Sequence, residues 1–327
     1  MSQAHEIAER LSWVAVDWGS SNLRAWALDA RGEVLARTDS DRGMLTLTPE
    51  AYEAELLRVI GDWLPATGRK PVRICGMAGA RQGWREAAYL PVPTRLDDLA
   101  RGAVAPPLDD PRLEVALLPG LCQTAEGAFD VMRGEETQLA GLVAREPGFT
   151  GLACLPGTHA KWARLEAGAV TRFTTCLTGE LYRLLARQSV LKHSIGDDDL
   201  MDPGCREAFL AAVHEIQAAP ATYTARLFGL RAQDLLDTGL PTGEARGARL
   251  AARLSGLTIG LELAGMGDEL GDELADAGPV TLIGNAALCE RYALALEALG
   301  HTSRHLDGEA AVLAGLGLAH HGLAARR

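Results

Sequence analysis

The chain has 327 residues, 47% of them hydrophobic and 23% charged, with a formal net charge of −11. This is the make-up of a soluble globular protein long enough for two ordinary domains. The acidic balance argues against general affinity for nucleic acid or an anionic membrane and leaves room for a local basic site that binds a small anion. No apolar run reaches the ~18 residues of a membrane span, and the polar opening MSQAHEIAER reads as a frayed lead-in rather than a signal peptide.

In chain order, residues 13–18, 23–30 and 33–38 read as three strands, with Arg31-Gly32 turning between the last two. A helix follows over 49–64, opened by Thr48 and Pro49, with Tyr52, Leu56, Ile60 and Trp63 on one face. Strands are expected at 71–76 and 115–118, a surface loop at 106–111 and a helix from Gly134 to Arg145. Gly151–Leu155 then reads as a second buried strand, followed by Pro156-Gly157-Thr158-His159. After it come Trp162–Glu166, an Ala167-Gly168 turn, Val170–Thr175 and a helix over 178–191. The remainder is mostly helical: 205–217, 223–236 and 244–265, then a strand at 279–283, a helix to Leu299 and a last helix over 308–321.

Strand, glycine-hydroxyl turn, hairpin and helix thus occur twice, about half the chain apart. Matching Gly19 to Gly157 aligns Ser20 with Thr158, and Gly32 with Gly168 after one deletion. Identity is slight, and an internal duplication of a βββα unit is the preferred reading over chance similarity. The expected fold is α/β with two closely packed domains, 1–148 and 149–327, and a cleft between them. The six cysteines form no CxxC pair and most lie in apolar runs. They read as small core residues in a reducing, cytoplasmic compartment.

The first turn poses a chemical question. Trp13–Val16 can be a buried strand, Asp17 sits at its end, and Gly19-Ser20-Ser21-Asn22 can make a tight, hydroxyl-rich turn. A plain β-hairpin and a ligand loop both fit these residues. Neither this turn nor the second matches GxxxxGK[ST] or GxGxxG, which disfavours P-loop and Rossmann readings.

Asp17-Trp-Gly-Ser-Ser-Asn-Leu-Arg24 resembles the first phosphate loop of the sugar kinase/Hsp70/actin superfamily. More narrowly, the chain resembles the 2-dehydro-3-deoxygalactonokinase family through VDWGSSNLRAW, CGMAGARQGWREAAY, LPGLCQTAEGAFDVMRGEETQ, LPGTHAKW, LTGELY and LSGLTIGLELAG, in that order. The resemblance implies a two-domain actin-like ATPase (ribonuclease H-like) fold built from a duplicated βββαβαβα unit. It implies phosphorylation of the terminal hydroxyl of 2-dehydro-3-deoxy-D-galactonate with ATP and magnesium. Physical chemistry agrees: glycine-hydroxyl turns can offer backbone N–H groups to a polyphosphate, and a magnesium ion at Asp17 relieves the repulsion between carboxylate and phosphate.

Asp17, Gly19, Ser20 and Ser21 are therefore the expected first nucleotide loop, with Asp17 the metal residue, and Gly157, Thr158 and His159 the second. His159 also fits a capped structural histidine. Leu155-Pro156 stands where many relatives carry an acidic residue, which weighs against a metal role for this second loop. Lys161 is a phosphate partner or a solvated strand residue, the latter preferred. Gly284-Asn285 falls where the superfamily places adenosine, or is a simple strand-to-helix turn. For the carboxylate that takes the hydroxyl proton, Glu135 and Glu136 are equal candidates and Asp130 is third. Acids that merely favour a helix N-terminus are the alternative.

The acid end of the substrate calls for an arginine. Arg81, Gln82 and Trp84 offer a guanidinium, an amide and an aromatic wall in one glycine-flanked loop, and Arg24 and Arg133 compete for the same role. Thr178 and Glu180 are further substrate candidates or an ordinary helix cap. The Asp197-Asp198-Asp199 run reads as a solvated loop or cap and stays outside the site. The competing functions are a phosphatase or polyphosphate hydrolase on the same fold, and a nucleotide-binding regulator without turnover. The hydrolase would want a basic channel, and the regulator a basic DNA-binding extension. The apolar helices within 205–265 supply a candidate homodimer face.

Overall fold

The computed structural model describes residues 3–276 and 278–326. Its first element is not a frayed lead-in but a helix, α1 (Gln3–Arg10), anchored because Ile7 and the following Leu11 are buried in the first core. Strands β1 (Trp13–Trp18), β2 (Leu23–Leu28) and β3 (Val34–Ser40) form an antiparallel meander. The turn between β2 and β3 is held by the Asp29 carboxylate, which accepts the N–H groups of Arg31 and Glu33, and by Gly32 at φ +80°. The expected helix over 49–64 is a central α2 (Tyr52–Ile60) flanked by single 3₁₀ turns.

From α2 the chain enters β4 (Lys70–Gly76), parallel to β1. Then come two short strands that the sequence pattern did not announce, β5 (Tyr89–Pro91) and β6 (Thr94–Arg95), followed by the expected strand near 115–118, β7 (Leu113–Leu117), which runs parallel to β4. Two more short strands, β8 (Gly120–Gln123) and β9 (Asp130–Met132), join β5 in a small sheet and lead into α3 (Glu135–Arg145). The resulting main sheet has the order β3-β2-β1-β4-β7.

Both faces of this sheet are buried, because β1 is apolar on each. Val14, Val16 and Trp18 pack with Tyr52, Leu56 and Ile60 of α2. Trp13 and Ala15 pack with Val312 and Leu316 of the last helix. A sheet with parallel strands covered on two faces is the expected outcome of such a pattern.

The second half opens with β10 (Gly151–Leu155), β11 (Ala160–Glu166) and β12 (Ala169–Cys176). It continues through helices α4 (Thr178–Gln188), α5 (Pro203–Ala218), α6 (Tyr223–Leu236), α7 (Glu244–Leu270) and α8 (Asp272–Asp276). It closes with β13 (Val280–Gly284), α9 (Ala286–Ala298), β14 (Ser303–Asp307) and α10 (Gly308–Ala324). From β12 the strand order is β12-β11-β10-β13-β14, with β10, β13 and β14 parallel. This repeats the neighbour order of the first sheet, and Gly168 repeats the φ +80° of Gly32. The second half carries the full βββαβαβα order of an actin-like, ribonuclease H-like unit, and the first half repeats its strand order with a 3₁₀ helix (Leu96–Gly102) in place of an α-helix between β4 and β7.

The compact units do not follow a single boundary at 148. The first is Met1–Thr150, Ala163–Phe173 and Gly308–Arg327; the second is Gly151–Trp162 and Thr174–Asp307. The physical reason for the return of α10 to the first unit is close helix packing against α3. A Cβ on Gly141 would lie 1.9 Å from Ala311 O, and one on Gly315 would lie 1.9 Å from Thr137 O. Only glycine at both positions lets the two backbones approach so closely. In the second unit the same device serves α7, where Gly256 and Gly260 face Phe209, Val213 and Ile216 of α5.

Candidate active site

In the first unit, one register position of three adjacent strands gathers the charged groups. Asp17 on β1 lies opposite Arg24 on β2 and beside Cys75 on β4. Arg24 Nη2 donates to Asp17 Oδ2 at 2.5 Å, and the Cys75 thiol faces Oδ1 at 3.8 Å. Arg24 Nη1 also lies 3.9 Å from Glu309 at the head of α10. The turn that follows Asp17 closes through Gly19 N–H to Asn22 O. The N–H groups of Met44 and Leu45 bind the carbonyls of Gly19 and Ser20. Ser20 and Ser21 are approached so closely by residue 43 that a Cβ there would sit 2.4 Å from their backbone, which is why Gly43 is glycine.

The head of α3 reaches the same strand end. Gly76 at φ +87° and Gly134 at φ +105° face each other closely: a Cβ on Gly134 would lie 3.6 Å from Gly76 Cα. The next carboxyl, Glu136, is fully buried and accepts the Gly134 N–H at 2.6 Å and the Thr137 hydroxyl at 2.8 Å. Burial first, and then the neighbouring Glu135 charge, push its pKa up to about 7. Cys75 is buried and held well above the usual thiol range, first by desolvation and then by the charges of Asp17 and Glu136. Glu135 is less buried and accepts the Arg133 backbone N–H at 3.1 Å. Asp130 turns onto the N–H of its own neighbour Val131 at 2.7 Å.

The three arginines separate sharply. Arg133 lies over the Tyr89 ring at 4.3 Å and donates to Ala87 O at 2.7 Å and to Leu118 O. It holds the loop over 79–89 together. Arg24 is engaged by Asp17. Arg81 is 81% exposed and lies 3.5 Å from Glu86, which leaves it able to meet a ligand, and Gln82 beside it is exposed. Trp84 is not an aromatic wall of a binding loop. It is a core residue, 7% exposed, stacked on Tyr52 and edge-on to Trp18, because the 3₁₀ turn Met77–Gly79 and the Trp84 N–H bond to Ala78 fold the loop inward.

In the second unit, α4 starts against the second turn. The Glu180 N–H donates to Thr158 O at 2.9 Å, and a Cβ on Gly179 would lie 2.3 Å from Gly157 O. His159 Nε2 and Glu180 Oε2 are 2.6 Å apart, so these two candidates form one pair. Lys161 is not a solvated strand residue: it is 4% exposed and its ammonium donates to His159 O. Asn285 caps α9, its side chain accepting from Ala287 and Leu288 N–H, and Gly284 stands beside Pro156 O.

Two features escaped sequence reasoning. Glu262 on α7 is buried and receives hydrogen bonds from Trp162 Nε1, Tyr292 OH and Thr178 OH, so the Thr178 hydroxyl is committed inward. Burial raises the Glu262 carboxyl above its usual range. Beside it lies a cavity of about 220 Å³, lined by Gly157, Gly179, Tyr182, Ile259, Leu288 and Tyr292 among others. Asp198 also lines it, and is paired with Arg291 rather than solvated, whereas Asp197 is exposed and Asp199 holds the Met201 N–H. No local motif joins Asp198 to Arg291, which lies 93 residues away.

Among the described residues no group of three or more His, Cys, Asp or Glu is placed to hold a metal, and no helix is long and apolar enough to cross a membrane. The family model of 2-keto-3-deoxy-galactonokinase matches residues 17–319. A probable 2-dehydro-3-deoxygalactonokinase of Rhizobium meliloti is 41% identical over 307 residues, covering 94% of this chain and 96% of its own length. The 2-dehydro-3-deoxygalactonokinase of Escherichia coli is 33% identical over 304 residues, covering 93% and 96%. A crystal structure of a candidate 2-dehydro-3-deoxygalactonokinase from Sinorhizobium meliloti superposes with a TM-score of 0.82 at 39% identity, covering 95% and 96%. The chain belongs to the 2-keto-3-deoxy-galactonokinase family.

Proposed function

We propose that this family member transfers the terminal phosphoryl group of ATP to the 6-hydroxyl of 2-dehydro-3-deoxy-D-galactonate, yielding the 6-phosphate for galactonate catabolism in the cytoplasm. The observation that carries the substrate is the near full-length similarity to two proteins bearing that name. The chemistry is supported by the cluster at the end of β1. Asp17 presents a carboxylate that is contacted by the Arg24 guanidinium and the Cys75 thiol. A lone carboxylate suits magnesium, which keeps most of its waters and takes phosphate oxygens as further ligands. Magnesium, when bound, neutralises charge on the phosphates.

The chain's own residues do the rest. The Gly19-Ser20-Ser21 and Gly157-Thr158-His159 turns offer N–H and hydroxyl groups to phosphate oxygens. The cavity walled by Tyr182, Ile259 and Leu288 takes the base of the nucleotide, and Asn285 fixes the helix that carries Leu288. Arg81 binds the substrate carboxylate. Glu136 takes the hydroxyl proton onto its carboxylate, a role for which a pKa near neutrality is suited.

The decisive experiment is ADP release coupled to a panel of epimeric 2-keto-3-deoxy acids, with the product position assigned by NMR. Phosphorylation at the 6-position of the galactonate derivative is expected. ADP release that ignores every sugar acid would overturn the assignment.

A further inference from the structure

One partly buried ion pair in the wall of the second-unit cavity has no part in the roles above. Arg291, on α9, donates from Nη1 to Asp198 Oδ2 at 2.6 Å and to Ser255 Oγ at 3.3 Å. The Asp198 side chain is 8% exposed and that of Arg291 20%. Their neighbours around the cavity, Tyr182, Ile259 and Leu288, are largely apolar. Partly withdrawing two charges from water carries a desolvation cost, and a well-packed apolar pair is often as stable. A few charged groups set into an otherwise apolar concave wall are, however, how ligand sites fix orientation and identity.

We propose that the Asp198–Arg291 pair reads the hydrogen-bonding edge of the nucleobase. Asp198 accepts from the 6-amino group of adenine, and Arg291 donates to an adjacent ring nitrogen. The inference rests on the placement of the nucleotide in this cavity. Adenine presents an amino donor beside a ring-nitrogen acceptor, and the pair presents a carboxylate acceptor beside a guanidinium donor. Hypoxanthine carries a carbonyl where adenine carries its amino group, and so turns an oxygen toward the Asp198 carboxylate. A site built around such hydrogen bonds discriminates strongly, because the mismatched base leaves buried polar groups unpaired.

The test compares kcat/KM for ATP and for inosine triphosphate at saturating sugar acid, in wild type, Asp198→Asn and Leu288→Trp, with thermal melts on each. Wild type is expected to prefer ATP by about ten- to hundredfold, the range of one charge-assisted hydrogen bond. Asp198→Asn should bring the ratio close to one, losing on ATP and gaining on inosine triphosphate, because its amide can donate to the carbonyl. Equal use of the two nucleotides by wild type overturns the proposal without any variant, and so does an unchanged ratio in a folded Asp198→Asn protein. Leu288→Trp narrows the cavity and should raise the KM for both nucleotides. If it leaves both unchanged, the nucleotide lies elsewhere and the cavity assignment itself falls. If it raises both while Asp198→Asn leaves the ratio alone, the cavity holds the base and only the reading role of the pair is lost.

Discussion

Arg24 stands directly across the β1–β2 ladder from Asp17, and its Nη2 lies 2.5 Å from Asp17 Oδ2. The same guanidinium leans toward Glu309, which Arg37 and the Trp26 indole also hold. Asp17 is thus oriented from the side, with its charge balanced before any ligand arrives. Arg24 is more than an open substrate arginine.

Asp17→Asn should keep its fold, because the amide oxygen still accepts from Arg24 and Glu309 still anchors the guanidinium. Turnover should fall ~10²–10³-fold, the equivalent of several kcal/mol of lost charge neutralisation. The measurement is kcat at saturating magnesium and ATP, alongside a thermal melt. A folded variant with normal turnover removes Asp17 from the mechanism.

Glu136→Gln should lose ~10²–10⁴-fold in kcat with little change in either KM, while Glu135→Gln stays near wild type. Wild-type kcat should rise with pH through about 7, since only the ionised carboxyl accepts a proton. Stability should run the other way. The folded-state pKa is raised, so the contribution of the neutral carboxyl is complete below the unfolded value of ~4.3 and is lost as pH rises through the folded value. Urea melts across that window should show this slope in wild type and a flatter one in Glu136→Gln. If Glu135→Gln is instead the inactive variant, Glu136 is a structural carboxyl that closes the start of α3.

Much of this was legible because β1 and β10 carry their information locally: an unbroken apolar run, then a glycine-hydroxyl turn. The helices with apolar faces were legible for the same reason. Strand β14 was not, since Ser303–Asp307 carries exposed polar residues and owes its strand form to pairing with β13. The inward turn of Trp84 escaped because it depends on Tyr52, far away in the chain. So did Glu262, whose three partners come from β11, α4 and α9. Local chemistry could nominate the glycine-hydroxyl turns, but not the long-range pairs that wall the cavity.

Two glycines should respond oppositely to alanine. Gly76 sits at φ +87°, and an added Cβ would stand 2.6 Å from the Trp18 carbonyl oxygen. Gly76→Ala should therefore lose ~1–3 kcal/mol and disturb the strand end that carries Asp17. Gly229 lies inside α6 with nothing within 4 Å of the added carbon. Gly229→Ala should gain ~0.5–1 kcal/mol by relieving the helix of its most flexible residue. Urea unfolding of both, monitored by circular dichroism, checks the sign of each. Equal effects would mean that backbone geometry at Gly76 is not what selects glycine.

Arg81→Ala should chiefly raise the KM for the sugar acid. Of the three candidate arginines, Arg24 is held by Asp17 and Arg133 by Ala87 O, Leu118 O and the Tyr89 ring. Among the described residues, Arg81 has an exposed contact with Glu86 and no other ion pair. Losing a charge-assisted contact to the substrate carboxylate costs ~1.5–3 kcal/mol, a ten- to hundredfold change in KM. Arg81→Lys should recover part of it, since an ammonium cannot reproduce the planar fork. The KM for ATP should stay nearly constant, because the nucleotide is assigned to other loops. Arg133→Ala should instead lower the melting temperature, as it removes the strut of the loop over 79–89. The control is a substrate analogue with its carboxylate reduced to an alcohol, which wild type and Arg81→Ala should bind about equally poorly. If Arg81→Ala still tells acid from alcohol as strongly as wild type does, the carboxylate partner is not Arg81, and the assignment passes to Arg24, whose release from Asp17 would then have to accompany substrate binding.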